Sequence, residues 1–276
     1  MSIFDYMQLP FARYALIAGV LVGLCAGLIG VPLVLKRYSM IGFGLSNVAF
    51  AGMAIGAVIG MTNSLFLVIP VTIVVSIVLL TSSKNSKLRG DSAIAMLSAS
   101  TIAIGFFILN VRPVTGNVAG DVCNIMFGSS LLSLSNFDII LSITMAIGVV
   151  LFFIFFYNKI FAMTFDPEFA KATGVNSKVY EIFIAAVIAI VVAISIRIVG
   201  SLLVAALIIF PALSSMRVFK DFKMVVICSA LLGMVCSVIG MLASIMMDTP
   251  VGATIVIANL VVFVVFYGAG IALKKK

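Results

Sequence analysis

Three side chains in the second long apolar stretch have the type and spacing to contact a small molecule inside a membrane. Phe43, Ser46 and Asn47 lie within residues 40–60, a run of 21 residues without a formal charge. A run of that length crosses a bilayer as a helix, and positions four apart share one face. We therefore predict that Phe43, Ser46 and Asn47 line a substrate path. The alternatives are an interhelical hydrogen bond for Asn47 and lipid contact or core packing for Phe43.

The residues needed for an enzymatic site are missing from the apolar runs. The chain has no histidine, and Asp91, Asp138, Glu181 and Asp248 lie at the ends of these runs. Neither a carboxylate pair nor a nucleophile with a base can be placed inside the bundle. The four cysteines have no CxxC spacing and are interpreted as small core residues. We expect no catalytic residue in this chain.

Composition sets the class of protein. Of the 276 residues, 64% are hydrophobic and 9% charged, and the mean hydropathy is +1.36. These values are typical of a polytopic membrane protein. The net charge of +8 comes from short basic clusters between apolar runs, which indicates a cytoplasmic positive bias and no nucleic-acid partner.

The uncharged runs predict nine membrane spans. They are placed near residues 14–35, 40–60, 64–83, 92–111, 139–157, 182–196, 198–216, 224–247 and 251–273. With the amino terminus outside, 14 of the 17 basic residues fall in cytoplasmic segments, the exceptions being Arg13, Arg112 and Arg197. The predicted protein is therefore a multi-pass protein of the cell membrane with a cytoplasmic carboxyl terminus.

Three local features accompany these spans. Arg197 interrupts an otherwise continuous apolar stretch, so one broken or re-entrant element is an alternative to the sixth and seventh spans.

Glycines recur at multiples of four in the first two spans and predict close helix packing. In the longest outer loop, residues 122–127 are apolar enough to dip into the membrane or to cap the bundle.

Residues 166–174, read as DPEFAKATG, predict a short capped helix in a cytoplasmic loop. Asp166 is a good N-cap, Pro167 suits the first helical position, and Gly174 can close the carboxyl end. Glu168 favours the positive end of the helix dipole. Such a helix docks on a soluble partner or lies on the lipid headgroups, and the loop alone leaves both readings open.

The pattern D-P-E-x-A-x-x-x-G resembles the coupling helix of ABC importer permeases, and it also includes Ala170. Residues 27–52, 126–135 and 199–215 resemble one subgroup, the permeases of the manganese, zinc and iron uptake class. The resemblance implies an all-α helical bundle of about eight to nine transmembrane helices with a short cytoplasmic coupling helix. Residues 1–276 would form a single ABC importer transmembrane domain.

The resemblance also implies the partners. ATP would be hydrolysed on separate cytoplasmic ATP-binding subunits, and the sequence has no GxxxxGK[ST] loop of its own. We therefore expect no cofactor on this chain. An extracytoplasmic solute-binding protein would deliver the substrate, a second permease would complete a homo- or heterodimer within membrane lipid, and transport would proceed by alternating access.

The sequence departs from its relatives in the second span. The family pattern there is S-x-I-G-D-x-L-S-H-x-x-x-x-G, in which the Asp and the His are expected to hold a divalent cation. Phe43 and Asn47 occupy those positions here. A bare divalent ion is costly without anionic or strongly donating ligands, which leaves Asn47 as a candidate metal ligand.

Several explanations of this departure are open. A partner permease that keeps both ligands would make this chain a structural or regulatory subunit without its own substrate path. Asn47, backbone carbonyls, or sulfur from Cys25 or Met53 would replace the lost ligands for a metal. In the third alternative, the same machine imports an organic or chelated small molecule against an aromatic wall at Phe43.

Overall fold

A computed structural model describes residues 10–61, 64–82, 90–111, 125–128, 134–166, 168, 170, 177–247 and 249–274. Within these residues the chain forms nine long α-helices and no β-strand. We number them α1 Pro10–Leu35, α2 Ser39–Val58, α3 Leu65–Ser82, α4 Gly90–Val111, α5 Asn136–Phe165, α6 Ser177–Val199, α7 Ser201–Val218, α8 Phe222–Met247 and α9 Val251–Lys274.

Length and composition make this a multi-pass membrane protein. Eight of the helices are long and apolar enough to cross a membrane, and α3 contributes a shorter apolar segment, Leu65–Leu80. Helices satisfy their own backbone hydrogen bonds, which the hydrocarbon interior requires. The prediction of an all-α bundle with eight to nine spans is confirmed.

Neighbouring helices fix the direction of each span. Helices α1 and α8 are antiparallel, because Gly19 lies against Met241 whereas Gly27 lies against Ser229. Most described basic residues consequently gather at one end of the bundle, which we call the basic end; Arg13 and Arg197 belong to the opposite end. The basic end holds Lys36, Arg37, Lys159, Arg217, Lys220, Lys223 and Lys274.

Several predicted boundaries differ from the structure; α6, for example, begins at Ser177 and not near 182. Helix α5 continues to Phe165, beyond the predicted end at 157, because an aromatic side of its last turns packs on Phe222. The break between α6 and α7 falls at Gly200, with φ +88°, and not at Arg197. Glycine adopts this conformation without steric cost, whereas Arg197 lies inside α6. The structure therefore contains two separate helices here, and not the single broken element of the alternative prediction.

Residues 125–128 cap the bundle at its opposite end. Ile125 and Met126 pack against a cluster that contains Phe50 and Leu109. Gly128 has φ +68° and abuts the backbone at Gly200, where a Cβ would lie 2.5 Å from the Gly128 nitrogen. Of the two alternatives for the apolar outer loop, capping is the one that its described residues support.

The glycines of the first span make the close helix contact that was predicted, whereas those of the second span face two different helices. Gly23 and Gly27 on α1 touch the backbone of α8. On α2, Gly44 faces α4 but Gly52 faces α3, so its glycines serve two neighbours. Gly60, with φ +75°, follows the helix end, and its N–H donates to the carbonyl of Ala57, as in a Schellman-type ending.

Candidate functional site

Asn47 lies in the interior of the bundle with an unused hydrogen-bond donor. Its residue exposure is 1%, and its Nδ2 has no partner among the described residues. Gly44 and Phe50, three positions before and after it, both contact α4, at Ile94 and Gly105 respectively. Positions three apart share a helix face, so Asn47 belongs to the face of α2 that packs on α4.

Ser98 on α4 supplies a second unpaired polar group at this interface. It is 3% exposed, and its Oγ has no partner among the described residues. A Cβ at Gly44 would lie 3.6 Å from that oxygen, which places Ser98 beside the same face of α2. Sequence reasoning missed Ser98; the available signal was a serine inside an uncharged span.

The other two residues that were predicted to line the path, Ser46 and Phe43, offer no unpaired polar group. Ser46 is 1% exposed, and its Oγ donates to the carbonyl of Phe43 at 2.8 Å, so its hydroxyl is engaged within its own helix. Phe43 is half-buried on the side of α2 that it shares with Asn47. The structure thus groups Phe43 with Asn47 by helix face, and adds Ser98 from α4.

The described residues hold no cluster of three or more His, Cys, Asp or Glu side chains that would bind a metal. The sulfur alternatives are also dispersed. Cys25 belongs to the main hydrophobic core, whereas Met53 packs with Ala49 and Ala193 in a separate cluster. Asn47 and Ser98 offer neutral oxygen atoms, which suit hard cations better than soft ones.

The predicted coupling segment begins where α5 ends. Asp166 leaves the helical conformation with φ −140° and ψ 86°, and its carbonyl accepts the N–H of Ala170 at 3.1 Å. A new helical turn therefore starts at Asp166. Ala170 is fully buried and Glu168 is exposed. Pro167 and Gly174 lie outside the described residues.

An aromatic cluster attaches the end of α5, where this segment begins, to α8. It consists of Tyr157, Phe161 and Phe165 from α5 together with Phe222, the first residue of α8. The ring of Phe222 lies 5.6 Å from Tyr157, 5.5 Å from Phe161 and 5.9 Å from Phe165. Such spacings are typical of favourable aromatic pairs. The end of α5, next to Asp166, is therefore packed against the start of α8.

Comparisons with known proteins cover nearly the whole chain. The manganese import system permease protein ScaB of Streptococcus gordonii is 26% identical over 257 residues, 93% of this chain and 90% of that protein. The high-affinity zinc uptake system membrane protein ZnuB of Haemophilus influenzae is 26% identical over 253 residues, 91% of this chain and 94% of that protein.

One solved structure and one family profile also match the chain over nearly its whole length. The structure of PsaBC from Streptococcus pneumoniae in complex with Fab superposes with a TM-score of 0.84 at 24% identity, covering 96% of this chain and 94% of that one. This likeness establishes the helical fold. The profile of the ABC 3 transport family matches residues 8–269. The chain therefore belongs to the ABC 3 transport family.

Proposed function

We propose that this chain is the membrane-spanning permease subunit of an ATP-driven ABC importer whose cargo is a transition-metal cation. The observation that carries the proposal is the family match over residues 8–269. Relatives that align along almost the whole chain are named as manganese and zinc uptake permeases. The cargo would cross by alternating access, with nucleotide binding on other subunits driving the change.

The proposed importer needs partners on both sides of the membrane. We place the basic end in the cytoplasm because cytoplasmic segments carry an excess of Lys and Arg. ATP-binding subunits then dock at the basic end, and a solute-binding protein docks at the opposite end. A second permease, identical or different, completes the path.

Coupling to the ATPase is assigned to residues 166–174. The helical turn that starts at Asp166, the burial of Ala170 and the exposure of Glu168 support a fixed element with a polar outer side. The aromatic cluster around Phe222 joins the end of α5, immediately before this element, to the start of α8. An interfacial helix resting on headgroups would not require such an attachment.

A second candidate cargo is a chelated metal or another small organic molecule. It is favoured by the unpaired donor of Asn47, since an amide N–H attracts acceptor atoms and repels a bare cation. A bare cation would instead be bound by the amide oxygen. The charge of residue 47 therefore distinguishes the two cargoes.

ATP-dependent uptake into proteoliposomes tests the cargo. The permease would be reconstituted with its ATP-binding subunits and binding protein, and manganese, zinc, iron and copper would be read together by elemental mass spectrometry. For a bare cation, Asn47→Asp adds an anionic ligand and should raise uptake several-fold at limiting metal, whereas Asn47→Ala should lower it. The matched control is Asn110→Asp on the exposed side of α4.

The outcomes separate the alternatives. For a chelated or organic cargo, Asn47→Asp should lower uptake of the complex and leave free metal untransported. Absence of any Asn47 effect on an active transporter would contradict a path along this face of α2. ATPase activity without uptake of any cargo would favour a structural subunit.

Glu168→Arg tests the coupling assignment. Reversal of this exposed charge should lower transport per ATP hydrolysed about tenfold while leaving the helix content unchanged, because it reverses the charge that the docking surface presents to the ATP-binding subunit. Gly174→Val should act in the same direction. The control Lys223→Gln changes a charge at the same end of the bundle, outside the segment. Normal transport by Glu168→Arg would contradict the docking role.

A further inference from the structure

The turn between α1 and α2, residues 36–38, contains a backbone conformation that only glycine adopts freely. Arg37 has φ +62° and is the single non-glycine residue with positive φ in the part of the chain that the structure describes. The other positive-φ residues there are Gly60, Gly128 and Gly200. In this conformation a Cβ approaches the following carbonyl oxygen, so a non-glycine residue is disfavoured. The side chain of Arg37 is therefore kept at a conformational cost.

The same helix-ending turn occurs twice, after α1 and after α2. Both turns have the two hydrogen bonds of the Schellman motif. The N–H donors and their carbonyl acceptors are Tyr38 to Leu33 and Arg37 to Val34 after α1, and Met61 to Gly56 and Gly60 to Ala57 after α2. The left-handed position is a glycine in the second turn and an arginine in the first. Because the hydrogen bonds are alike, the turn itself does not require an arginine.

The Arg37 side chain makes no contact within the described residues that would offset this cost. It is exposed, and its guanidinium forms no ion pair, hydrogen bond or ring contact there. Lys36, immediately before it, already places a positive charge in this turn. A disfavoured backbone conformation that the fold does not require indicates a functional role.

The α1–α2 turn lies beside the inner ends of α5 and α6, the two helices that flank residues 166–174. One small cavity is lined jointly by the turn and by these helices, at Lys36, Tyr38, Ile160 and Glu181. Tyr38 also packs against the main hydrophobic core, to which Ala170 of the coupling segment belongs. A partner that reaches the coupling segment therefore also comes close to Arg37.

The exposed side chains of the turn fit a protein surface that carries a carboxylate. A guanidinium presents a planar fork of N–H donors, which binds a carboxylate through two parallel hydrogen bonds. Met40, three residues after Arg37, is 39% exposed, and methionine and arginine are enriched where proteins meet. The hydrogen-bonded turn holds the backbone of Arg37 in one place, which suits a partner of fixed position better than a mobile lipid headgroup.

We propose that the α1–α2 turn is a second docking site for the ATP-binding subunit, in which the guanidinium of Arg37 pairs with a carboxylate of that subunit. The contact acts at the start of α2, the helix that carries Phe43 and Asn47, whereas the coupling segment acts between α5 and α6. The inference rests on the proposed function, because it requires an ATP-binding subunit at the basic end.

Binding of the ATP-binding subunit to the full-length permease in phosphatidylcholine nanodiscs tests the charge. Arg37→Gly should weaken this binding about tenfold, because the carboxylate of the partner loses its cation. The matched control is Lys220→Gly, which removes a positive charge from the exposed turn between α7 and α8 at the same end and should bind like the wild type.

The outcomes of the binding experiment separate the two levels of proposal. Equal binding by the wild type and Arg37→Gly would overturn the role of Arg37 and leave the importer standing. A difference that appears only when phosphatidylglycerol is added would assign Arg37 to a lipid headgroup and would also overturn it. Failure of the wild type to bind the subunit would contradict the proposed function, and the docking site with it.

Thermal unfolding of the permease alone separates function from stability. Arg37→Gly should not lower the unfolding midpoint, because glycine adopts this conformation without steric cost. Gly60→Arg places the same residue in the same turn at the opposite end and should lower the midpoint. A Cβ at Gly60 has no heavy atom within 4 Å, so only the backbone conformation opposes that change. A lower midpoint for Arg37→Gly would show that the fold needs the arginine, and would overturn the functional explanation.

Carbodiimide crosslinking of the assembled transporter tests the carboxylate directly. The reagent joins an amine to a carboxylate without a spacer, so Arg37→Lys should gain a crosslink from residue 37 to an Asp or Glu of the ATP-binding subunit. Mass spectrometry of the linked peptides identifies both residues. Gly60→Lys, at the opposite end, is the control and should give no crosslink to that subunit. Absence of a crosslink at residue 37 in the assembled transporter would overturn the carboxylate contact.

Discussion

The contact between α1 and α8 and the boundary between α5 and α6 are two opposite ways of pairing long membrane helices. At the first, glycines bring the backbones together: a Cβ at Gly233 would meet the carbonyl oxygen of Gly23, and one at Gly27 would meet that of Ser229. At the second, the ring of Phe152 on α5 stacks on that of Phe183 on α6, and an open groove lies beside this contact, toward the opposite end.

The difference shows where small residues are needed. Lipid tails are as apolar as leucine, so helices in a membrane associate through close packing and polar contacts. The α1–α8 contact uses both, because Ser229 also donates to the carbonyl of Gly27 at 2.8 Å. The α5–α6 boundary is held near the opposite end of the bundle from the basic end by an ion pair, Arg197 Nε to Asp138 Oδ1 at 3.1 Å. We infer that the first pair moves as one body and that the second tolerates adjustment.

Replacing a glycine by a large residue should distinguish the two regions most clearly. Gly233→Leu forces α1 and α8 apart and should destabilise the protein by about 3 kcal/mol or more. Gly148→Leu makes the same change in the groove between α5 and α6, where a Cβ on Gly148 has no heavy atom within 4 Å, and should stay within about 0.5 kcal/mol. Circular dichroism during thermal unfolding in detergent measures both, since the chain has no tryptophan. Equal losses of stability in the two variants would contradict the distinction between the two helix contacts.

The ion pair of the α5–α6 boundary should have an intermediate effect. Asp138 is nearly buried and also accepts the N–H of Ser135 at 3.1 Å, so Asp138→Asn weakens both the helix cap and the pair. A double-mutant cycle with Arg197→Gln isolates the pair, and we expect a coupling energy of about 1–2 kcal/mol. A coupling energy near zero would show that the ion pair does not hold α5 and α6 together.

The serine of the α1–α8 contact should have the smallest effect. Ser229→Ala removes an interhelical hydrogen bond and should cost about 0.6 kcal/mol, the average for such bonds in membrane proteins. Ser237→Ala is the control, because that hydroxyl donates to Gly233 of its own helix and its loss should be near neutral. A larger cost for Ser237 would mean that the hydroxyls add nothing specific to the glycine contact.

The sequence predicted the helices well because apolar length alone determines a membrane span. It also predicted the glycine contact of α1, since spacing four places small residues on one face. It could not predict the break at Gly200, because the conspicuous charge of Arg197 lies inside the helix and pairs with Asp138. That partner comes from another helix, and its proximity depends on the tertiary fold.

The candidate site was predicted only in part for the same reason. The face shared by Phe43 and Asn47 follows from helical periodicity, but the contribution of Ser98 depends on which helix packs there. The contact of Gly128 with Gly200 also joins distant parts of the chain. A repeated Gly-Ser followed by paired leucines, at 128–132 and 200–203, was the available signal for that contact.

The length of α5 has a mechanical consequence. Its 30 residues span about 45 Å, well beyond a hydrocarbon core of about 30 Å. Helix α5 is held near its first turn by the ion pair of Asp138 with Arg197, and Asp166 follows its last residue. A tilt of about 10° about that ion pair would sweep the tip by about 8 Å. In the proposed importer, a displacement of several ångströms at the ATP-binding subunit would therefore correspond to only a small rotation of α5 within the membrane.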